Sequence, residues 1–175
     1  MSFPRLPTDE EKTEIAGAVF DKSADQVSWD GVWMLTEFVL PGDFQFNCMG
    51  WSVLLPEVIA ISDQLANLDF LYANATDRLG ASHDYVPAPD NLVIQAWGTS
   101  NVEILHATRY TSKTELTANA GDFQLTLDFN AAAAGGFPTQ TWSSKIGIGT
   151  ALITHPENWL VGSIFPSLEQ TYRQQ

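Results

Sequence analysis

The chain has 175 residues, 45% of them hydrophobic and 17% charged, which describes one ordered domain large enough to bury a core. Eight Lys and Arg stand against 21 Asp and Glu, a formal net charge of -13. That balance repels nucleic acid and leaves few cations to hold phosphates, so it argues against a nucleic-acid partner and against polyanionic cofactors.

The first element, within residues 1–22, reads as a short helix. Thr8-Asp9-Glu10-Glu11 has the pattern of a capping box, and its acids sit at the positive end of the helix dipole. Ile15, Val19 and Phe20 then form a narrow apolar stripe. The lack of an apolar core in this N-terminal stretch argues against a signal peptide, and no apolar run is long enough for a membrane span, so a cytoplasmic location is expected.

Residues 27–55 read as a hairpin. Val32 to Leu40 is a continuous apolar run, Leu40-Pro41-Gly42-Asp43 suits a type II turn, and Phe44 to Cys48 returns with period two. Cys48 is the lone cysteine; it sits among Phe46, Met49 and Trp51 and reads as a buried, inert thiol. In residues 56–80, Val58, Ile61, Leu65, Leu68, Tyr72, Ala75 and Leu79 recur at spacings of three and four. That predicts a long helix, with Pro56 at its first position and Gly80 as C-cap; a rival reading breaks it near Asn67.

Ala81 to Asp90 connects this segment to the following strands. Residues 92–155 read as an antiparallel meander: Leu92 to Trp97, Val102 to Tyr110, Thr114 to Ala118, Phe123 to Phe129, and one long strand from Trp142 to Thr154. The tail from Ser167 reads as a last helical turn. The predicted fold is α+β, a single domain with a curved or barrel-like antiparallel sheet packed around a long apolar helix and a short N-terminal helix. The alternative is an all-β ligand-binding barrel.

His106 is the first candidate for chemistry. Period two places it beside Ile104 and Thr108 on a buried strand face, where desolvation keeps an imidazole neutral and fit for acid–base work. The bland alternative is a core histidine satisfied by a backbone carbonyl. His83, Asp84 and Tyr85 are neighbours in an extended connector, so they cannot all converge; they are expected at a pocket mouth or as a solvated loop. Trp33, Trp97, Tyr110 and Trp142 are the aromatic candidates for lining a ligand site, against the plainer reading of core. Trp29 and Trp159 flank loops and are expected to be the most accessible tryptophans. The three histidines lie far apart with no HExxH pattern, so no metal is expected, and no cofactor motif is found. There is no G-x-S-x-G elbow.

The leading functional expectation is a protein that binds a small, mainly apolar molecule in an aromatic-lined pocket. If it is an enzyme, it is a cofactor-independent isomerase, cyclase or lyase, with His106 as the acid–base group. Two alternatives stand beside it. One is a structural subunit of virion or filament type, a homo-oligomer, in keeping with a chain rich in Ala, Thr, Asn and Gly. The other is a carbohydrate-binding module using exposed tryptophans.

Overall fold

The computed structural model describes residues 4–35, 48, 52, 71, 77–80, 92–98, 104–112, 133–138, 140–146 and 151–174. The chain opens on helix α1, Asp9–Ile15, and the expected capping box is present. Thr8 Oγ1 accepts from the Glu11 amide at 3.2 Å, and Glu11 returns the bond by accepting from the Thr8 amide at 2.8 Å. Glu11 also holds both guanidinium nitrogens of Arg5, at 2.7 and 2.8 Å, and that pairing pulls its carboxyl down to about 2. Arg5 in turn exchanges backbone bonds with Met34, so the cap is tied to the edge of the sheet. Thr8→Ala is therefore expected to lower the unfolding free energy by about 1 kcal/mol. Urea denaturation with an unchanged m-value checks this, and an unaltered midpoint would show the cap to be redundant.

A π-helical turn, Ala16–Phe20, extends α1, and Asp21 ends it in the left-handed region at φ 51°. Aspartate tolerates that conformation better than most residues. The stripe expected on this segment is real: Ile15, Ala16, Val19 and Phe20 are all buried. Burying a large apolar side chain contributes roughly 1.5–3 kcal/mol, so these residues fix the helix against the body. A 3₁₀ turn, Ala24–Gln26, leads into the sheet.

Seven strands form one antiparallel sheet among the described residues: β1 Trp33–Met34, β2 Asp77–Gly80, β3 Leu92–Gly98, β4 Ile104–Ser112, β5 Gln140–Lys145, β6 Leu152–His155 and β7 Ser167–Gln174. Their spatial order is β1-β6-β5-β4-β3-β7-β2. Strands β3 to β6 follow one another as an antiparallel meander, each paired with the next. The two ends of the row, β1 and β2, are not paired with each other, so the described sheet is open and not a closed barrel. The architecture is α+β, an antiparallel sheet with a short N-terminal helix.

Five expectations are corrected. Asp77–Gly80 is a strand, not the last turn of a helix, and Gly80 sits at a register shift against β7 instead of capping. No long apolar helix occurs among the described residues. Leu71 is helical and fully buried; residues 56–70 and 72–76 lie outside the described residues. Cys48 is helical, not part of a returning strand, and is buried as expected; the type II turn lies outside the described residues. The run Trp142 to Thr154 is two strands, because Lys145 pairs with Leu152 and the Ile146 amide bonds the Ala151 carbonyl at 2.9 Å. Two glycines, Gly147 and Gly149, lie between the paired ends, and such residues favour reversal.

The fifth correction is the tail, which forms β7 and inserts between β3 and β2. Its apolar residues, Leu168 and Tyr172, are four apart, a spacing that suits a helical face; in β7 a register shift against β3 sets Leu168 opposite Trp97 and Tyr172 opposite Ile94, on opposite faces of the sheet. The strands expected at Thr114 to Ala118 and Phe123 to Phe129 lie outside the described residues. The hydrophobic core fills one side of the sheet, where Met34, Trp97, Ile146 and Ile153 meet Ile15, Val19, Phe20, Trp159 and Phe165.

Candidate functional site

The register of β3 to β6 decides which polar side chains share that core face. Trp97 stands opposite His106, Gln95 opposite Thr108, Tyr110 opposite Trp142, and Trp142 opposite His155. Cross-strand partners point to the same side, and so do residues two apart along a strand. Gln95, Trp97, His106, Thr108, Trp142, Ser144 and His155 therefore project from one face of the sheet. All are buried.

Three of them form a line. His106 Nε2 lies 2.9 Å from Ser144 Oγ, and Ser144 Oγ lies 2.6 Å from His155 Nε2. The far nitrogen of His155, Nδ1, lies 2.8 Å from the Pro156 carbonyl. A carbonyl only accepts, so Nδ1 carries the His155 proton and Nε2 is left as an acceptor. Ser144 then donates its hydroxyl proton to His155 Nε2, and its oxygen accepts from His106 Nε2–H. The hydrogen bonds alone thus assign both tautomers.

Burial keeps both rings uncharged. Desolvation, with a smaller contribution from His155, brings His106 from about 6.5 to about 3. Desolvation brings His155 to about 4, against the pull of the Pro156 carbonyl toward the charged form. Aromatic rings cover the pair: Phe165 stacks on His106 at 4.6 Å, and Trp159 stacks on His155 at 5.1 Å. Gln95 extends the polar row. It accepts from Trp97 Nε1 at 3.3 Å and donates to Glu157 at 3.0 Å, where the row meets the half-buried 3₁₀ turn Glu157–Gly162. Thr108 is the exception, since its fully buried hydroxyl has no hydrogen-bond partner among the described residues. A buried hydroxyl left without a partner costs about 1–3 kcal/mol.

A cleft of about 290 Å³ opens beside this row, between the N-terminal helical segment and the turn Glu157–Gly162. Phe20, Val27, Pro156 and Trp159 supply its apolar surface, and Lys22, Gln26, Ser28, Asp30 and Asn158 its charged and polar groups. Trp159 is held in place by its indole N–H, which donates to the Ser28 carbonyl at 2.8 Å, and by Phe20 edge-on at 4.7 Å. One indole therefore both walls the cleft and covers His155.

The opposite face of the sheet carries a second polar group. Arg109 on β4 and Lys145 on β5 are both buried there, with Ser143 opposite Arg109 and Thr154 opposite Ser143. Arg109 reaches the Ser52 carbonyl at 3.4 Å. Burial brings Lys145 down to about 8, with Cys48 drawing it partly back up. Among the described residues no three His, Cys, Asp or Glu side chains could hold a metal ion. No helix among them is long and apolar enough to cross a membrane.

The expected site residues fall in different places. His106 is on the buried face, at the head of the line to Ser144. Trp97 is core beside it, at 1% exposure. Tyr110 and Trp142 pack edge-on at 5.4 Å at the far end of the same face. Trp33 projects from the opposite face, beside Thr154, and packs edge-on against Phe137. His83, Asp84 and Tyr85 lie outside the described residues. Trp29 is half-buried and Trp159 is buried, so neither is a flat exposed platform. Ser144 and His155 were not singled out together from the sequence; they lie 11 residues apart and meet only because β5 and β6 pair. Among known proteins, no family model, no curated protein and no solved structure matches this chain.

Proposed function

We propose that the protein binds a small, mainly apolar molecule in the cleft beside Trp159. The lining of the cleft carries this reading: Phe20, Val27, Pro156 and Trp159 offer an aromatic and aliphatic surface for a ring, and Lys22, Gln26, Ser28, Asp30 and Asn158 offer about as much polar surface to orient it. Its volume, about 290 Å³, lies at the small end of the roughly 300–1,000 Å³ typical of ligand sites. That size suits a compact molecule of one or two rings better than a long acyl chain. His106 is not among the residues lining this cleft; its partner in the line through Ser144, His155, lies under Trp159. With one cysteine in the chain, a reducing, cytoplasmic setting fits this reading.

A second reading adds cofactor-independent isomerase, cyclase or lyase chemistry. The line of neutral imidazoles and hydroxyl favours it, because such a line can take up and pass a proton without a charged group in the core.

Gly162 gives a direct test of the binding reading. It borders the cleft, and a Cβ there would meet only the Phe20 ring, at an ordinary 3.8 Å. Gly162→Leu is expected to fill the cleft and leave the fold intact. Native mass spectrometry of the protein from its own source should show a bound molecule of low mass. Gly162→Leu should weaken its rebinding at least about tenfold, the loss of one to two kcal/mol expected when a site is blocked. A protein that emerges empty and shifts its tryptophan emission with no member of an aromatic small-molecule screen would refute the reading.

A further inference from the structure

Ser144, His155 and the Pro156 carbonyl have the parts that an activated serine requires. A hydroxyl is a weak nucleophile by itself and gains reactivity from an adjacent base that a third group holds in the right tautomer. Here the base nitrogen is 2.6 Å from Ser144 Oγ, and the third group is the Pro156 carbonyl, 2.8 Å from the other ring nitrogen. The same geometry occurs on unrelated folds and is recognised by roles, not by a sequence motif. The missing G-x-S-x-G elbow is no obstacle, because Ser144 comes from a strand of an antiparallel sheet.

A second observation points to a substrate at this place. Acyl transfer places a negative oxygen beside the nucleophile, and donors must be ready for it. His106 Nε2–H is 2.9 Å from Ser144 Oγ. The Thr108 hydroxyl lies on the same face of the neighbouring strand, fully buried and without a partner among the described residues. An idle buried donor next to an activated hydroxyl is an arrangement that a carbonyl oxygen would complete.

We propose that Ser144 is a nucleophile for acyl transfer, with His155 as its base, acting on a compact, uncharged ester or thioester that enters past Trp159. Ser144 Oγ forms a bond to the acyl carbon, and its proton passes to His155 Nε2. The carbonyl oxygen, negative in the tetrahedral state, takes hydrogen bonds from His106 Nε2–H and the Thr108 hydroxyl. The bond from carbon to the leaving oxygen or sulfur breaks, and His155 returns its proton to that atom. Water then attacks the acyl-serine, gives its proton to His155, and releases the acid as Ser144 regains its hydrogen. Hydrolysis of the ester is the net result, and no other reactant is consumed.

The substrate class follows from the surroundings. Phe165, Trp159 and Trp97 make the face aromatic, and the buried cations of the sheet, Arg109 and Lys145, lie on its other side. A charged acyl group would find no counter-charge from them. Ser144 itself is fully buried, so the covering segment must move. That segment is a six-residue 3₁₀ turn and the bend after it, with Val161 and Ile164 largely exposed. Short 3₁₀ turns with exposed neighbours are among the easiest parts of a fold to open.

This inference rests on the cleft reading only for the route of access, and the test separates the two. The full-length protein is treated with a small alkyl fluorophosphonate, and adducts are located by peptide mass mapping. Slow modification of Ser144 is expected in the wild type. In Trp159→Phe, whose smaller ring thins the cover, the rate should rise at least about tenfold. Ser144→Ala should lose the adduct, and His155→Gln should slow it about a hundredfold, both with unchanged circular dichroism. If Ser144→Ala does not fold, Ser144→Cys with iodoacetamide serves in its place, and alkylation at position 144 supports the assignment. Folded wild type and Trp159→Phe that both leave Ser144 unmodified overturn it. Modification of Ser144 in a protein whose cleft binds nothing would uphold this proposal and reject the binding reading; cleft binding without modification would do the reverse.

Discussion

Lowering the pH from 7 to about 4.5 is expected to unfold this protein or bring it close to unfolding. The cause is the pair His106 and His155, both buried, both neutral, and both held below their ordinary value, at about 3 and about 4. In the unfolded chain each takes up a proton near pH 6.5, whereas in the folded protein it does not until the pH is far lower. Between those limits the unfolded state binds more protons, so stability falls as the pH falls. The contribution is complete above about pH 6.5 and is lost progressively through the two folded values. Each histidine contributes a slope of at most about 1.4 kcal/mol per pH unit, and the pair roughly 2.7. Two pH units of that slope amount to roughly 5 kcal/mol, comparable with the whole stability of a small domain. Below that range the Arg5–Glu11 pair continues the loss, since its stabilisation disappears as the pH falls from about 4.5 through about 2. Urea titrations across this range should show the slope, and His106→Leu should roughly halve it. An unfolding free energy that stays level from pH 7 to 4.5 would mean that the two rings are not buried neutral.

Trp159→Ala is expected to cost about 3–5 kcal/mol, the range for truncating a large buried aromatic. The indole joins three parts of the molecule. It packs edge-on against Phe20 from the N-terminal segment, stacks on His155 from β6, and donates to the Ser28 carbonyl 131 residues away in sequence. Trp29, half-buried and 6.2 Å from it, should cost less when truncated. The expected signature is a large drop in denaturation midpoint together with loss of near-ultraviolet circular dichroism, since Trp159 sits within an aromatic cluster. A loss below about 1 kcal/mol would show that the cluster does not anchor the N-terminal segment, given that even modest core truncations exceed it.

Some of this fold was legible because the deciding interactions are local. The capping box spans four residues and the stripe of Ile15, Val19 and Phe20 six, and both are present where the residues place them. Strand β4 follows from period two, and that same period put His106 on a buried face with Thr108. Where strand pairing overrides a local pattern the sequence misleads. The four-residue spacing of Leu168 and Tyr172 suits a helical face, yet β7 formed because β3 and β2 offered it hydrogen bonds on both sides, and a register shift there puts the two residues on opposite faces. Asp77–Gly80 became a strand for the same reason, with β7 as its partner.

By itself, then, the sequence determined an acidic antiparallel α+β chain, its helix cap, and the face on which His106 lies. It could not determine the neighbours of His106. Alternation decides which side of a strand a residue occupies, but hydrogen-bonding partners depend on which strands pair and in what register. His106 and Ser144 are 38 residues apart, and Ser144 and His155 are 11 apart across a run that reads as one continuous strand. Only when that run folded back, pairing Lys145 with Leu152, did a serine hydroxyl come within 2.6 Å of an imidazole under Trp159.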